Sequence, residues 1–254
     1  MTPDHYAIRP HEPRTYRNRV KPGGLIGFRV VVKETDLQVH AAEDFSLLTR
    51  EVVLRYRHHL ERYIALWPEF AATLTPWRIS GPAPALVRKM AAAGRKCGVG
   101  PMAAVAGAIA EAVGRDLLEH TPQVVVENGG DIFLKTAEPA VVGIFAGKSP
   151  LSMQIGLRIE SRRTGIGVCT SSGTVGHSLS HGRADAVCVV ADSCADADAA
   201  ATAIGNRVAG QKDIPEAIAF GRGIKALAGL VIIVGDKIGM WGDLEVVPLK
   251  GKKG

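Results

Sequence analysis

The sequence predicts an α+β fold in which long helices pack against an antiparallel or mixed sheet. Strand-like segments follow one another directly as hairpins, and long helical segments lie between these groups of strands. Strands and helices do not alternate regularly, which argues against a doubly wound parallel sheet. Because no linker divides the middle of the 254 residues, we expect a single domain over residues 23–249.

Periodicity assigns the elements in order. Alternating apolar residues predict a first hairpin from 26–33 and 37–41. Leu48, Val52 and Leu60 define the apolar face of a long helix over 45–67. The proline-rich stretch 68–84 indicates a connector. Helices are predicted at 86–96, 101–120 and 214–220, with an alanine-rich helix ending near 208. Strands are predicted at 124–127, 132–135, 141–145, 154–159, 166–169, 186–190, 230–234 and 244–247.

The net charge of +6 resides in the two ends of the chain. Residues 1–22 carry five Arg or Lys against two acidic residues, and residues 250–254 add three Lys. The two ends therefore contribute +3 each, and residues 23–249 sum to zero. The sequence predicts a basic N-terminal arm at 1–22 and a basic tail at 250–254. Nucleic-acid binding requires clustered charge on the docking face of the fold, so we expect no nucleic-acid partner.

The four cysteines form no C-x-x-C pair, which is typical of reduced cysteines that serve as small packing residues. Cys97 and Cys169 lie in or beside glycine-rich segments, so a reactive thiol is the alternative at both positions. No segment offers the roughly twenty apolar residues that cross a bilayer, and the first residues do not resemble a signal peptide. We expect a cytoplasmic protein without membrane contact; the sequence is compatible with a homo-oligomer.

An oxygen-rich stripe is predicted on the alanine-rich helix, where Asp198, Thr202 and Asn206 recur every four residues. Residues four apart share one helix face. Hard oxygen donors suit Mg²⁺ or Ca²⁺, and Mg²⁺ usually accompanies phosphate. The alternative is a helix packed tightly on a sheet, with Asp196 or Asp198 favouring the positive end of the helix dipole.

Two glycine-rich segments have both a structural and a binding interpretation. The pair Gly129 and Gly130 indicates a tight hairpin turn, and it would also let backbone approach a flat ligand while Asp131 accepts hydrogen bonds. Gly98 and Gly100 lack the surrounding βαβ unit of a dinucleotide fingerprint. Their loop either caps two helices or presents N–H groups to a phosphate.

Residues 170–178 hold five hydroxyl side chains, two glycines and His177. Such a segment can wrap an anion with hydroxyl and backbone N–H groups, and the imidazole could act as a general base or as a donor to phosphate. A serine hydrolase is disfavoured because the G-x-S-x-G elbow is absent. An ordinary surface loop is the remaining alternative.

Taken in order, five segments resemble the signature series of the ApbE-like superfamily. This superfamily includes the FAD:protein FMN transferases, formerly called thiamine-biosynthesis lipoproteins. The sequence looks most like a soluble bacterial and archaeal branch of it, and the resemblance implies one ApbE-like domain around a central cleft. The five segments are GAIAEAVG (107–114), ENGGDI (127–132), TSSG (170–173), His177 and ADAAATAI (197–204).

In the transferases, FAD lies in the cleft, and FMN moves onto a Thr or Ser of an acceptor protein, leaving AMP. The resemblance implies that Asp198 and Thr202 bind Mg²⁺, with a backbone oxygen from Ala110. It also implies that His177 is catalytic, beside the transferred phosphate. The residues expected to contact FAD, FMN or a related nucleotide are Gly129, Gly130, Asp131, Ser171, Ser172, Gly173 and Thr174.

The sequence departs from the transferases after His177. Residues 178–182 read SLSHG, where the transferases have an Asp-Pro-x-Thr-Gly segment, and residues 1–80 carry no motif that aligns. The resemblance therefore implies Mg²⁺-dependent phosphorus-group transfer, with a non-catalytic flavin- or nucleotide-binding protein as the alternative. A vestigial cleft in an assembly partner is a third alternative. The branch also suggests a link to anaerobic sulfur or homocysteine metabolism.

Overall fold

The computed structural model describes residues 24–160, 162–173 and 182–249. The predicted arm at 1–22 and tail at 250–254 lie outside the described residues. The strands are β1 (Ile26–Val32), β2 (Thr35–Ala41), β3 (Val124–Asn128), β4 (Asp131–Lys135), β5 (Ala140–Gly143), β6 (Ile155–Ile159), β7 (Ile166–Ser171), β8 (Ala186–Ala191), β9 (Leu227–Val234), β10 (Lys237–Gly242) and β11 (Glu245–Pro248). The helices are α1 (Ser46–Leu66), α2 (Glu69–Ala72), α3 (Ala85–Cys97), α4 (Val105–Leu117), α5 (Cys194–Gly205) and α6 (Ile214–Arg222).

Two antiparallel sheets and one layer of helices confirm the predicted α+β class. The large sheet has the order β1-β2-β3-β4-β7-β8-β9-β10, and the small sheet has the order β11-β6-β5. The helices cover one face of the large sheet, and the small sheet covers part of the other. The central strands of the large sheet are therefore buried on both faces.

Strand β3 contributes side chains to two separate hydrophobic cores. Successive side chains of a strand point to opposite faces, so Val124 and Val126 join the core under the helices while Val125 joins the core under the small sheet. Strand β8 is buried along its whole length for the same reason. Continuous apolar runs of this kind mark the strands that lie between two layers.

The helix predicted at 101–120 begins differently in the structure. A short 3-10 helix covers Pro101–Ala104, and the α-helical part α4 starts only at Val105. Thr170 and Ser171, expected in a loop, instead extend β7 and pair with Cys188 and Val187 of β8. Their hydroxyl-rich sequence favours a loop locally, but pairing to a central strand overrides that preference.

Strand β10 was not predicted, because its sequence KIGMWG contains two glycines and a lysine. Gly239 is required there, since a Cβ at this position would overlap Ile214 of α6. Among the described residues, no single helix is long and apolar enough to span a bilayer. The helices Ala85–Cys97 and Pro101–Leu117 meet that criterion only as a pair, and they are bent by 105°.

Candidate cation and nucleotide site

The glycine turn predicted between β3 and β4 is confirmed. Gly129 and Gly130 have φ values of 70° and 119°, in the region where a side chain is strained, so glycine is needed at both positions. The N–H of Thr170 donates to the carbonyl of Gly130 at 3.3 Å. Asp131, the first residue of β4, pairs across the sheet with Cys169 of β7. The turn and the hydroxyl-rich segment are therefore neighbours.

Helix α5 approaches α4 most closely at Gly107. A Cβ on Gly107 would overlap the carbonyl oxygen of Cys194 and lie 2.8 Å from Cβ of Asp198. The N–H of Gly107 donates to Oδ2 of Asp198 at 2.9 Å. The first N–H groups of a helix have no partner within the helix, and none of the described side chains of α4 caps its own first turn. Asp198 satisfies that turn from the neighbouring helix.

The charge of Asp131 acts on the carboxyl group of Asp198. Burial raises the pKa of Asp198 well above its ordinary value and the charge of Asp131 raises it further, although the N–H of Gly107 opposes the shift. Burial also raises the pKa of Asp131 to about 7; a hydrogen bond from Cys169 opposes this shift, and the charge of Glu127 adds to it. Two such carboxyl groups favour a shared proton or a bound cation over two free charges.

The stripe predicted on α5 lies on one helix face. Asp198 and Thr202 are one turn apart within Cys194–Gly205, and Thr202 is 8% exposed. Asn206 follows as the residue that ends the helix. The same spacing includes Cys194, which the sequence reasoning did not connect to the stripe. Tight packing and an oxygen-rich face, weighed as alternatives from the sequence, therefore coexist.

The backbone of α4 nearest to Asp198 is that of Ala106 and Gly107. Ala110, predicted to offer an oxygen to the metal, is fully buried one turn further along the helix. In a regular α-helix its carbonyl accepts from the N–H of Gly114. Its role as a metal ligand stays a prediction.

The hydroxyl-rich segment begins within the structure and then leaves the described residues. Ser171 Oγ is buried and has no hydrogen-bond partner in the part of the chain that the structure describes. Gly173 follows Ser172, and its N–H donates to the carbonyl of Ala184 at 2.9 Å. Thr174 and His177 lie outside the described residues. Their contacts and roles stay predictions.

Gly173 and Gly182 mark the two ends of the stretch 174–181. A Cβ on Gly173 would overlap the carbonyl of Gly182, and a Cβ on Gly182 would overlap the carbonyl of Gly205 at the end of α5. The backbone therefore leaves and returns at one place, beside the C-terminal end of the helix that carries Asp198 and Thr202.

Glu111 is a buried residue that the sequence reasoning missed. Its carboxylate, on α4, forms ion pairs of 2.6 Å with Lys89 of α3 and 2.7 Å with Arg115. It also accepts from Ser193 Oγ at 3.2 Å and from the N–H of Cys194 at 3.0 Å, at the start of α5. Burial raises the pKa of Glu111, but Lys89 and Arg115 outweigh it and hold the pKa below its ordinary value. Through these contacts the Glu111 carboxylate links α4 to α3 and to the start of α5.

All four cysteines are buried, as predicted for packing residues. Burial raises the pKa of Cys97 to about 12 and that of Cys188 to about 11. The sulfur atoms of Cys169 and Cys194 are 3.4 Å apart. Cys169 pairs across the sheet with Asp131, and Cys194 is the first residue of α5. Reactive thiolates are therefore disfavoured at these positions.

The Gly98–Gly100 loop has the capping role that was one of its two interpretations. Gly98 ends α3 with a φ of 73°, and the N–H of Val99 donates back to Gly94 at 3.0 Å. Gly100 packs against the carbonyl of Thr73, where a Cβ would overlap. Within the described ranges, no group of three or more His, Cys, Asp or Glu residues is arranged to hold a metal ion.

The profile of the protein family described as AbpE bacteria matches residues 17–220 of this sequence. A UPF0280 protein from Methanococcus aeolicus is 41% identical over 226 residues, which cover 87% of this chain and 91% of that protein. A UPF0280 protein from Methanocella arvoryzae is 45% identical over 217 residues, which cover 85% and 88% of the two chains.

Two solved structures share the fold at low sequence identity. The apo form of the flavinyl transferase ApbE from Pseudomonas stutzeri has a TM-score of 0.54 and 14% identity, over 87% of this chain and 94% of that chain. The ApbE protein from Thermotoga maritima has a TM-score of 0.54 and 13% identity, over 85% and 96% of the chains. The fold expected from the sequence resemblance is confirmed.

Proposed function

This chain belongs to the ApbE-like family described as AbpE bacteria, and from that premise we propose that it transfers FMN from FAD to a protein hydroxyl with the help of Mg²⁺. The fold is shared with a flavinyl transferase from Pseudomonas stutzeri. The reaction would join the acceptor oxygen to the FMN phosphorus and break the bond from that phosphorus to the AMP oxygen. The acceptor hydroxyl loses one proton in the exchange.

The placement of Asp198 supports the proposal, because the N–H of Gly107 holds this carboxylate at 2.9 Å on the same helix face as Thr202. Burial raises the pKa of both Asp131 and Asp198, and the charge of Asp131 raises that of Asp198 further, so a divalent cation would offset the cost of burying these charges. Mg²⁺ is typically held by one or two carboxylates, with substrate phosphates and water completing its shell. The Asp198 carboxylate and the Thr202 hydroxyl fit that pattern, with Asp131 close enough to act on Asp198 electrostatically.

Each predicted residue has a defined part in this proposal. Asp198 and Thr202 would hold Mg²⁺ together with a backbone oxygen, which was predicted from Ala110. Bound Mg²⁺ would offset the charge of the pyrophosphate and polarise the bond that breaks. His177 would take the proton of the acceptor hydroxyl. The residues proposed to contact the flavin nucleotide are Gly129, Gly130, Asp131, Ser171, Ser172, Gly173 and Thr174.

Formation of AMP from FAD tests the proposal. We expect purified full-length protein to form AMP with Mg²⁺ and to lose this activity in EDTA. Asp198→Asn should lower the rate by about 100-fold, because it weakens the binding of Mg²⁺. The charge that Mg²⁺ places beside the phosphates is worth several kcal/mol in the transition state. Asp196→Asn is the matched control: this buried aspartate lies on the same helix but forms an ion pair with Lys96 at 2.6 Å, and its removal should leave the Mg²⁺ dependence intact.

A non-catalytic flavin- or nucleotide-binding protein is the second candidate, favoured by the SLSHG sequence of residues 178–182. Mg²⁺-dependent FAD binding that is lost in Asp198→Asn, without AMP formation in the presence of several Ser- or Thr-containing acceptors, would select this candidate. Tightly bound ligands raise thermal stability by mass action. A melting temperature that responds to neither FAD nor Mg²⁺ would refute both candidates.

A further inference from the structure

The two carboxylates of the candidate site belong to separate parts of the fold. Asp131 follows the glycine turn of the β3–β4 hairpin and is fixed by pairing with β7. Asp198 lies on α5 and is held by the first turn of α4. The separation of the two groups therefore depends on how the hairpin is fastened to α4.

Asn128 provides a direct connection between these parts. It is the last residue of β3, is 9% exposed, and donates from Nδ2 to the carbonyl oxygen of Ala106 at 3.1 Å. This carbonyl belongs to the same peptide group as the N–H of Gly107, which donates to Oδ2 of Asp198 at 2.9 Å. One peptide group thus accepts from the hairpin and donates to Asp198.

The peptide group transmits both position and polarity. It is planar and resists rotation, so its orientation is fixed by the hydrogen bonds on its two sides. In a low-dielectric interior, consecutive hydrogen bonds polarise one another. Donation from Asn128 to the carbonyl therefore makes the N–H of Gly107 a better donor to the Asp198 carboxylate and fixes the position of that carboxylate.

We propose that Asn128 is a positioning residue of the cation site, which sets the separation of Asp131 and Asp198 through the Ala106–Gly107 peptide. The inference rests on the proposed function, because it concerns the same site. In this role Asn128 acts through the N–H donor of its side-chain amide, and a negative charge at position 128 would not replace it. An aspartate in its place would attract a cation more strongly, yet it could not donate.

Asn128→Asp separates these two effects, because the two side chains have nearly the same shape. The measurement is Mn²⁺ binding to the full-length protein without nucleotide, by titration calorimetry or by the electron paramagnetic resonance signal of free Mn²⁺. We expect affinity to fall about tenfold in Asn128→Asp, the usual effect of losing one buried hydrogen bond. Unchanged or tighter Mn²⁺ binding would overturn the inference.

Gln38→Glu is the matched control, because Gln38 of the same sheet donates from Nε2 to the carbonyl of Phe28 at 3.2 Å. It loses an equivalent hydrogen bond and should keep wild-type Mn²⁺ affinity; an equal fall in both variants would overturn the inference. If Asn128→Asp does not fold, Asn128→Ala replaces it in the same titration. Wild-type Mn²⁺ affinity in Asn128→Ala would also overturn the inference. Wild-type protein that binds no Mn²⁺ without nucleotide would overturn the inference, and wild-type protein that binds none even with FAD present would refute the proposed function as well.

Discussion

The backbone N–H of Gly107 donates to the Asp198 carboxylate at 2.9 Å, and the two residues are packed so closely that only glycine fits on the α4 side. This contact gives Asp198 two tasks. It satisfies the first turn of α4, and it presents a carboxylate beside Asp131. Stability and the proposed cation binding therefore depend on one side chain.

Gly107→Ala should destabilise the fold and weaken cation binding together. Alanine is favoured in a helix by about 1 kcal/mol, but the added Cβ would overlap the rigid backbone carbonyl of Cys194. Overpacking costs about 1–3 kcal/mol, so we expect a net loss in the free energy of unfolding by urea. Gly210→Ala is the control, since a Cβ there meets nothing within 4 Å. Equal stability of the two variants would contradict the packing argument.

The metal-free protein should lose stability as pH rises from about 4 to 7. The folded-state pKa of Asp131 is raised to about 7, above its unfolded value of about 3.9. Protonated Asp131 therefore contributes stability that is complete below the unfolded pKa and is lost as pH rises through about 7. Urea unfolding in EDTA would measure this slope. Asp131→Asn should flatten it, and identical slopes in the two proteins would argue against the raised pKa.

Thr202→Val should weaken Mn²⁺ binding while the fold persists, because only a hydroxyl is lost from the stripe on α5. Thr49→Val is the contrasting substitution. Thr49 Oγ1 is buried without a hydrogen-bond partner in the described part of the chain, so its removal should stabilise the protein by about 1 kcal/mol. Calorimetric titration and thermal melts of both variants check the pair. A wild-type Mn²⁺ affinity in Thr202→Val would exclude the hydroxyl as a ligand.

Glu111→Ala should destabilise the protein by about 1–3 kcal/mol, the usual cost of leaving a buried donor without its acceptor. The substitution leaves Lys89 and Arg115 without their shared carboxylate and removes an acceptor from the start of α5. Asp192→Ala, which breaks an exposed ion pair with Arg162, should cost less than about 1 kcal/mol. Chemical denaturation measures the free energy of unfolding of both variants. Equal losses would mean that Glu111 contributes no more to stability than a surface ion pair.

Local features of the site could be predicted from the sequence, and contacts between distant elements could not. The glycine turn follows from Gly129 and Gly130 themselves, and the stripe on α5 follows from four-residue spacing. Glu111 gave no signal, because a glutamate on an amphipathic helix is usually exposed. Its burial depends on Lys89, which lies on a different helix.

Asn128 illustrates the same limit at the site. Beside two glycines, an asparagine is typical of a turn, and that is how the sequence presents it. Its contact with Ala106 depends on the placement of a helix that precedes the strand in the chain. The proximity of Asp131 and Asp198 was likewise implied by the family resemblance and not by any spacing of the residues.

The backbone contact between Gly173 and Gly182 brings together the two ends of the stretch 174–181. Because Gly173 and Gly182 are in contact, we expect that the length and chemistry of the eight residues between them can change without altering the register of β7 and β8. Chimaeras that transplant this segment between relatives should consequently fold like their parents, whichever chemistry they inherit.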